Sequence, residues 1–165
     1  MTLSTHAIFG AAVASTISSH PILGFVLAFI SHFLLDAIPH WDYHLSSHAS
    51  DGHDHLNDDL VLNKAFIKDL SKIGLDMLLG LLIVLIIASQ YQNLFIPLIL
   101  GLIAGVLPDF LQFVYMKWRH EPMISLQKFH IWIHAKTDLN NRPAVGITFQ
   151  VILVVLALVI WRFIV

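Results

Sequence analysis

The sequence predicts an all-α membrane protein, a polytopic helical bundle of about five helices that forms a single domain over residues 1–165. The first observation is composition: 57% of the residues are hydrophobic and only 12% are charged, with a mean hydropathy of +0.77. A soluble domain normally has about 25% charged residues, so this chain has too little polar surface to cover a globule. The second is that several apolar runs reach the roughly 17 to 25 residues that a membrane-crossing helix needs. The third is that polar stretches separate these runs.

The predicted helices follow one another with polar breaks between them. Residues 3–18 are apolar and small, and Ser19-His20-Pro21 breaks the chain, so the first helix is short. We expect it to pack closely against the second helix and to cross the membrane fully or only in part. Residues 21–39 make the second span, although His32 and Asp36 lie within it. Three longer apolar runs complete the bundle: residues 73–89, 94–116 and 145–165.

Two pairs of small residues, Gly10 with Ala14 and Gly101 with Gly105, have the four-residue spacing that lets helix backbones approach one another. Small residues are also common in membrane helices in general. The pairs therefore favour close packing of these helices, and a purely compositional origin is equally compatible with the sequence.

The charge distribution predicts the orientation in the membrane. One face of a five-helix bundle holds the N-terminus, a histidine-rich loop over residues 40–72 and a second loop over residues 117–144 that can hold an interfacial helix. Eight of the nine Lys and Arg residues lie on this face, and only Arg162 lies near the other. Because cytoplasmic loops are enriched in Lys and Arg, we expect a multi-pass protein of the cytoplasmic (inner) membrane with a cytoplasmic N-terminus. The lipid bilayer is the expected partner, and a formal charge of −2 gives no indication of nucleic-acid binding.

The ionisable residues of the predicted spans collect at the cytoplasmic ends of the helices. His32 and Asp36 are four residues apart and point along one helix face. The pairs Asp36/His40 and His130/His134 repeat this interval, which lets side chains on adjacent turns reach one cation. The chain has eleven histidines and no cysteine, so a mixed His/Asp site is the strong transition-metal site it can build. The predicted ligands are His6, His32, Asp36, His40, Asp76 and Asp109.

Imidazole ligands suit Zn, Fe, Ni or Cu, and carboxylates add Mn or Mg. We therefore predict a divalent cofactor, Zn before Mn, Fe or Mg, as one or two ions. Less specific interpretations remain open. Asp76 and Asp109 could pack helices, the run FHIWIH could be an interfacial segment with strand-like alternation, and the loop histidines could belong to a solvated linker or collect metal. These loop histidines are His44, His48, His53 and His55.

The chain resembles the YdjM-like family of predicted inner-membrane, metal-dependent hydrolases. The resemblance rests on Thr5-His6 with Gly10, on SHFLLDAIPHWD at 31–42, on GVLPDF at 105–110 and on HIWIH at 130–134. It implies metal binding by His6, His32, Asp36, His40 and Asp109. After Asp109 the family tends to show a His-Arg pair followed by Thr-His-Ser, whereas this chain has Phe129-His130 and Ile133-His134-Ala135.

Together these features predict metal-assisted hydrolysis at the cytoplasmic membrane surface. A site at headgroup depth with apolar walls favours an amphiphilic or lipid substrate, with a phosphate ester as the scissile group. Asp76 is expected to be a ligand or to orient a histidine, and His130 or His134 to act as a general acid. Two alternatives are a metal transporter or sensor, and a scaffold in which the metal only holds helices together.

Overall fold

The computed structural model describes residues 1–50, 52 and 54–165. Its six helices are α1 (Leu3–Ser15), α2 (Pro21–Asp36), α3 (Lys64–Gln90), α4 (Phe95–Lys117), α5 (Met123–Ile133) and α6 (Pro143–Ile164). Two short strands, β1 (His48–Ala49) and β2 (Asp59–Leu60), pair antiparallel and form the sheet found in the described residues. The predicted all-α bundle is therefore confirmed.

Helix α1 lies at the centre of the bundle and contacts α2, α3, α4 and α6. Ten of its 13 residues are buried. A helix that is apolar on every side has no face suited to water, so burial all round is the expected outcome. Its small side chains let the neighbouring helices come close.

The close approach is most pronounced between α1 and α4, where glycines face one another. A Cβ atom on Gly105 would clash with the carbonyl oxygen of His6, and one on Gly101 would clash with that of Gly10. Gly24 of α2 lies in the same way against the backbone of Ala14. The close packing predicted from the small-residue pairs is present.

Three helices are long and apolar enough to cross a membrane: α3, the stretch Gln92–Lys117 that contains α4, and α6. The other two apolar helices are shorter, with 13 residues in α1 and 16 in α2. Large apolar side chains point outward, among them Leu34, Leu75, Ile86 and Phe163. An apolar surface of this extent is expected where lipid covers a protein.

Helix boundaries differ from the predicted ones by three residues or more at three places, and at the first of these α1 ends at Ser15 rather than at residue 18. Helix α2 ends at Asp36 rather than at residue 39, since Pro39 disfavours the helical conformation of the residue before it. Helix α3 begins at Lys64, so the predicted loop over residues 40–72 is wrong after residue 63. The Asn63 side chain caps this helix by accepting hydrogen bonds from the backbone N–H groups of Ala65 and Phe66.

The second predicted loop contains α5, so a helix is present there, and its interfacial position stays a prediction. The run FHIWIH is helical up to Ile133 and does not form a strand. The segment after α5 is held against the end of α2 by two backbone hydrogen bonds of 2.8 Å, from Ala135 N–H to the Asp36 carbonyl and from Leu139 N–H to the His40 carbonyl. These contacts bring α5 next to α2.

The described part of the histidine-rich loop is attached to the end of α4. Arg119 donates to the carbonyl oxygens of Leu56, Asn57 and Asp58, and the Lys117 ammonium lies 2.6 Å from Asp59 Oδ1. Loop residues His48 and His55 approach Asp58 Oδ2 at 3.5 and 3.0 Å. The predicted role of His53 lies outside the described residues.

Candidate metal centre

The carboxylate of Asp36 is the centre of the buried polar residues at one end of the bundle. Asp36 is 1% exposed and His32, one turn before it on α2, is 0% exposed. A buried charge in an apolar bundle is costly unless it is paired, so the surroundings of this carboxylate decide what the site can do.

Four histidines surround the two oxygens of this carboxylate. Oδ2 lies 3.0 Å from His32 Nε2 and 3.1 Å from His130 Nε2. Oδ1 lies 3.1 Å from His6 Nε2 and 3.8 Å from His40 Nε2. The residues come from α1, α2, α5 and the segment after α2, so the site joins elements that are distant in the sequence.

Four residues form a first ligand group that could hold a metal ion: His32, Asp36, Asp109 and His130. Each offers one ligand atom, and these atoms lie within 4.8 Å of one another. Asp109 comes from α4, and its Oδ1 is 3.5 Å from His32 Nε2. Its side chain is 29% exposed, so the group opens towards the outside at Asp109.

The hydrogen bonding of His32 determines which ring nitrogen faces this group. His32 Nδ1 lies 2.7 Å from the carbonyl oxygen of Gly105. A carbonyl oxygen can only accept, so Nδ1 carries the proton and donates it. In a neutral ring, Nε2 then directs a lone pair at the Asp36 and Asp109 oxygens.

Two facing lone pairs repel one another unless a positive charge lies between them. His32 Nε2 is buried and makes no hydrogen bond within the described part of the chain. A metal-binding histidine typically donates its other N–H to a carbonyl or carboxylate, as His32 does to Gly105. The chemistry of the donors therefore fits a transition-metal ion.

A second ligand group, formed by Asp36, His40 and His134, lies beside the first and shares Asp36 with it. His40 donates Nδ1–H to the Ile38 carbonyl at 2.7 Å, and His134 donates Nδ1–H to the Ala135 carbonyl at 3.3 Å. Burial lowers the pKa of His134 and so favours its neutral form. Both rings therefore keep Nε2 available for a cation.

Asp42 and the amino group of Met1 complete this side of the cluster. The amine lies 3.1 Å from Asp36 Oδ1 and 2.8 Å from Asp42 Oδ1. Burial would lower the pKa of the amine, but Asp36 and Asp42 outweigh burial and raise its pKa to about 10. Burial likewise opposes ionisation of Asp42, but His40 and the amine hold the pKa of that carboxyl well below its usual range.

Two predicted ligands lie outside both groups. His6 contacts Asp36 and stacks on the His32 ring with 3.8 Å between centroids. Asp76 accepts hydrogen bonds from the N–H of Ser4 at 3.2 Å and from its hydroxyl at 2.5 Å. Asp76 thus accepts a hydrogen bond from a backbone N–H in the first turn of α1, which has no acceptor within the helix. Negative charge is also favourable there because of the helix dipole.

Two residues near the cluster were missed by the sequence interpretation. Asp42 follows His40 by two residues, and this proximity was the available signal. Gln150 of α6 is 3% exposed, and its Oε1 accepts from the N–H and the hydroxyl of Thr2 and from the Thr5 hydroxyl. Its Nε2 donates to the Trp41 carbonyl at 2.7 Å. Gln150 therefore joins the start of α1 to the segment that bears His40 and Asp42.

In comparisons with known proteins, the chain matches no family model, no curated protein and no solved structure. The resemblance to the YdjM-like family stays a prediction from the motifs.

Proposed function

We propose that this chain is a membrane-embedded, metal-dependent hydrolase that acts on a phosphate ester of an amphiphilic or lipid substrate. The observation that carries the proposal is the first ligand group, in which His32 Nε2 faces the oxygens of Asp36 and Asp109 at 3.0 and 3.5 Å. A buried His/carboxylate group with one partly exposed ligand suits a metal that must be reached by substrate. The likeness of SHFLLDAIPHWD to the YdjM-like family supports the same activity.

Each residue of the group has a distinct part in this proposal. A divalent metal bound here, with Zn favoured by the imidazoles, supplies a Lewis acid and lowers the pKa of its water to about 7. Asp36 and His32 hold the cation, and Gly105 keeps the His32 ring in the ligating tautomer. His130 is assigned to the ligands because it contacts Asp36. Asp109, partly exposed, marks the side from which substrate arrives.

The surroundings of the group favour an amphiphilic phosphate ester. Leu34 lies between His32 and Asp36 in the sequence, and Phe110 directly follows Asp109. Their side chains are 60% and 59% exposed on the outside of the bundle. The segment after α5, held against the cluster, brings Lys136 and Arg142 to the same end. Apolar surface beside a ligand group and positive charge at its edge together suit a lipid with a phosphate headgroup.

We place the cluster on the cytoplasmic face of the cytoplasmic membrane. Eight of the nine Lys and Arg residues lie in segments that the sequence predicts on the same membrane face as the cluster. Cytoplasmic loops are enriched in Lys and Arg in this way. A metal transporter is less favoured, because residues 77–107 and 143–161 contain no His, Asp, Glu, Lys or Arg that could continue a path through the bilayer. A purely structural metal is the second candidate, since the buried ligands join α2, α4 and α5.

The test is phosphate or headgroup release from phospholipids and polyprenyl phosphates in mixed micelles, with and without a chelator. We expect release that the chelator stops and that falls at least about 100-fold in Asp109→Asn, because even partners outside the ligand shell are typically worth 10- to 100-fold. Asp138→Asn, an exposed residue of the same charge and size, is the matched control. Bound metal without hydrolysis of any of these substrates would favour the structural role.

A further inference from the structure

We propose that the site holds two divalent cations and that Asp36 bridges them, an inference that rests on the metal site of the proposed function. The first cation binds at Asp36 Oδ2 with His32, His130 and Asp109. The second binds at Asp36 Oδ1, and its other ligands are His40, His134 and Asp42. The bridging arrangement follows from three features of the cluster.

The first feature is the division of the Asp36 carboxylate between two sets of neighbours. Oδ2 has His32 and His130 at 3.0 and 3.1 Å, whereas Oδ1 has His6 and the Met1 amine at 3.1 Å and faces His40 at 3.8 Å. The two ligand groups have Asp36 in common and no other member. A carboxylate that offers one oxygen to each group is the arrangement of a bridging ligand.

The second feature is the lone pair of His40. Its Nδ1–H is donated to the Ile38 carbonyl, so in a neutral ring Nε2 has no proton. That nitrogen is 3.1 Å from Asp42 Oδ2 and 3.8 Å from Asp36 Oδ1, and His40 is only 2% exposed. The contact with Asp42 is within hydrogen-bond distance, and an imidazole nitrogen beside two carboxylate oxygens is a ligand set that one divalent cation can share.

The third feature is the positive charge that is present there. The Met1 ammonium contacts Asp36 Oδ1 and Asp42 Oδ1 at 3.1 and 2.8 Å. It stands in for a cation between two carboxylates, but among the described residues it makes no hydrogen bond to His40 Nε2. A divalent ion satisfies the two carboxylates and the imidazoles of His40 and His134 together.

A second cation would also assist the proposed hydrolysis. In two-metal sites with ions about 3.5–4 Å apart, one ion assists the attacking oxygen and the other the departing oxygen. Here His40, His134 and Asp42 place the second ligand set on the side of the Met1 amine, while Asp109 opens the first. The phosphate of a substrate would then be held from both sides.

The experiment measures metal content by mass spectrometry after the detergent-solubilised protein is equilibrated with Zn²⁺ and desalted. We expect two ions per wild-type chain and one in His40→Ala and in His134→Ala. His44→Ala, an exposed loop histidine, is the matched control and should keep two. One ion in the wild type, unchanged in His40→Ala, would overturn the bridge and leave the proposed hydrolase intact, whereas no ion would overturn both.

A second measurement can overturn the proposal on the wild-type protein alone. Electron paramagnetic resonance of wild-type protein saturated with Mn²⁺ distinguishes an exchange-coupled pair from isolated ions. We expect the coupled signal in the wild type, replaced by the six-line signal of single ions in His40→Ala. A six-line signal alone in the saturated wild type would overturn the bridge.

Discussion

The two ends of the bundle are packed by opposite means. Around Gly10 and Gly101, helix backbones touch directly, with glycine and alanine filling almost no space. Around Asp36, the same helices are separated by imidazole and carboxylate side chains that contact one another. The glycine contacts bring the helices close together, and this closeness allows side chains from α1, α2, α4 and α5 to meet within a few ångströms at the polar end.

Gly105 lies where the glycine-packed region meets the polar end, and it makes contacts in both. Its Cα lies against Gly10 and the carbonyl of His6, where a Cβ cannot fit. Its own carbonyl accepts a hydrogen bond from His32 Nδ1–H and so directs Nε2 at Asp36. Backbone packing at this glycine therefore sets the tautomer of a ligand in the candidate metal centre.

Replacing Asp36 by Asn breaks the polar end alone and should have the largest effect. The charge shared by both ligand groups is lost while the shape is kept, so we expect metal affinity to fall by more than about 100-fold. Zn²⁺ titration of the metal-free protein measures this loss. An affinity within a few-fold of the wild type would show that Asp36 is not the central ligand.

Replacing Gly105 by Ala should disturb both ends at once. The added Cβ meets the His6 carbonyl and the backbone of Gly10, so overpacking should cost about 1–3 kcal/mol and lower the melting temperature. Metal affinity should fall with it, because the Gly105 carbonyl must move.

The matched control for Gly105 is Gly74→Ala, where a Cβ meets open space. Its helix should be unchanged or up to about 1 kcal/mol more stable, with metal binding as in the wild type. Equal melting temperatures for the two variants would contradict the account of close backbone packing.

Replacing Gln150 by Leu tests the connection between α6 and the polar end. The variant keeps the bulk but leaves the Trp41 carbonyl and the Thr2 N–H without their partner, which should cost about 1–3 kcal/mol. Because Trp41 lies between His40 and Asp42, binding of the second Zn²⁺ ion, the one proposed at these two residues, should weaken first. Gln90→Leu, an exposed glutamine, should change neither thermal stability nor metal titration.

Replacing Trp161 by Phe tests the apolar end alone and should have the smallest effect. The indole N–H donates to Ser15 Oγ at 2.7 Å, and loss of this hydrogen bond should cost about 0.5–1.5 kcal/mol. We expect a slightly lower melting temperature and unchanged metal content. A loss of bound metal would mean that the two ends are not separable.

Much of the fold could be predicted because its signals are local. Apolar runs locate α3, α4 and α6, and small residues in α1 predict its close packing. The start of α3 was missed because the polar turns after Asn63 resemble a loop, although Asn is itself a helix-capping signal. FHIWIH was ambiguous because alternation over a few residues fits either a helix or a strand.

The candidate site could be predicted only as far as helix ends and intervals reach. His32 and Asp36 were found because they lie near the end of α2, and Asp109 because it lies in the half of α4 that faces the same way. The partner of Asp76 depends on the rotation of α3 about its axis, which the sequence does not determine, so the contact with Ser4 was missed. Asp42 was missed because the path of the chain after Pro39 is set by contacts with distant residues. Leu139 bonds to the His40 carbonyl and Gln150 to the Trp41 carbonyl.

The most direct test of the central claim, that imidazoles and carboxylates meeting at Asp36 bind a metal ion, is X-ray absorption spectroscopy of the zinc-loaded protein. We expect nitrogen and oxygen ligands at about 2.0–2.1 Å, with the outer-shell scattering of at least two imidazoles. In His32→Ala this imidazole contribution should decrease. A zinc shell without imidazole scattering, or one that His32→Ala leaves unchanged, would contradict this claim.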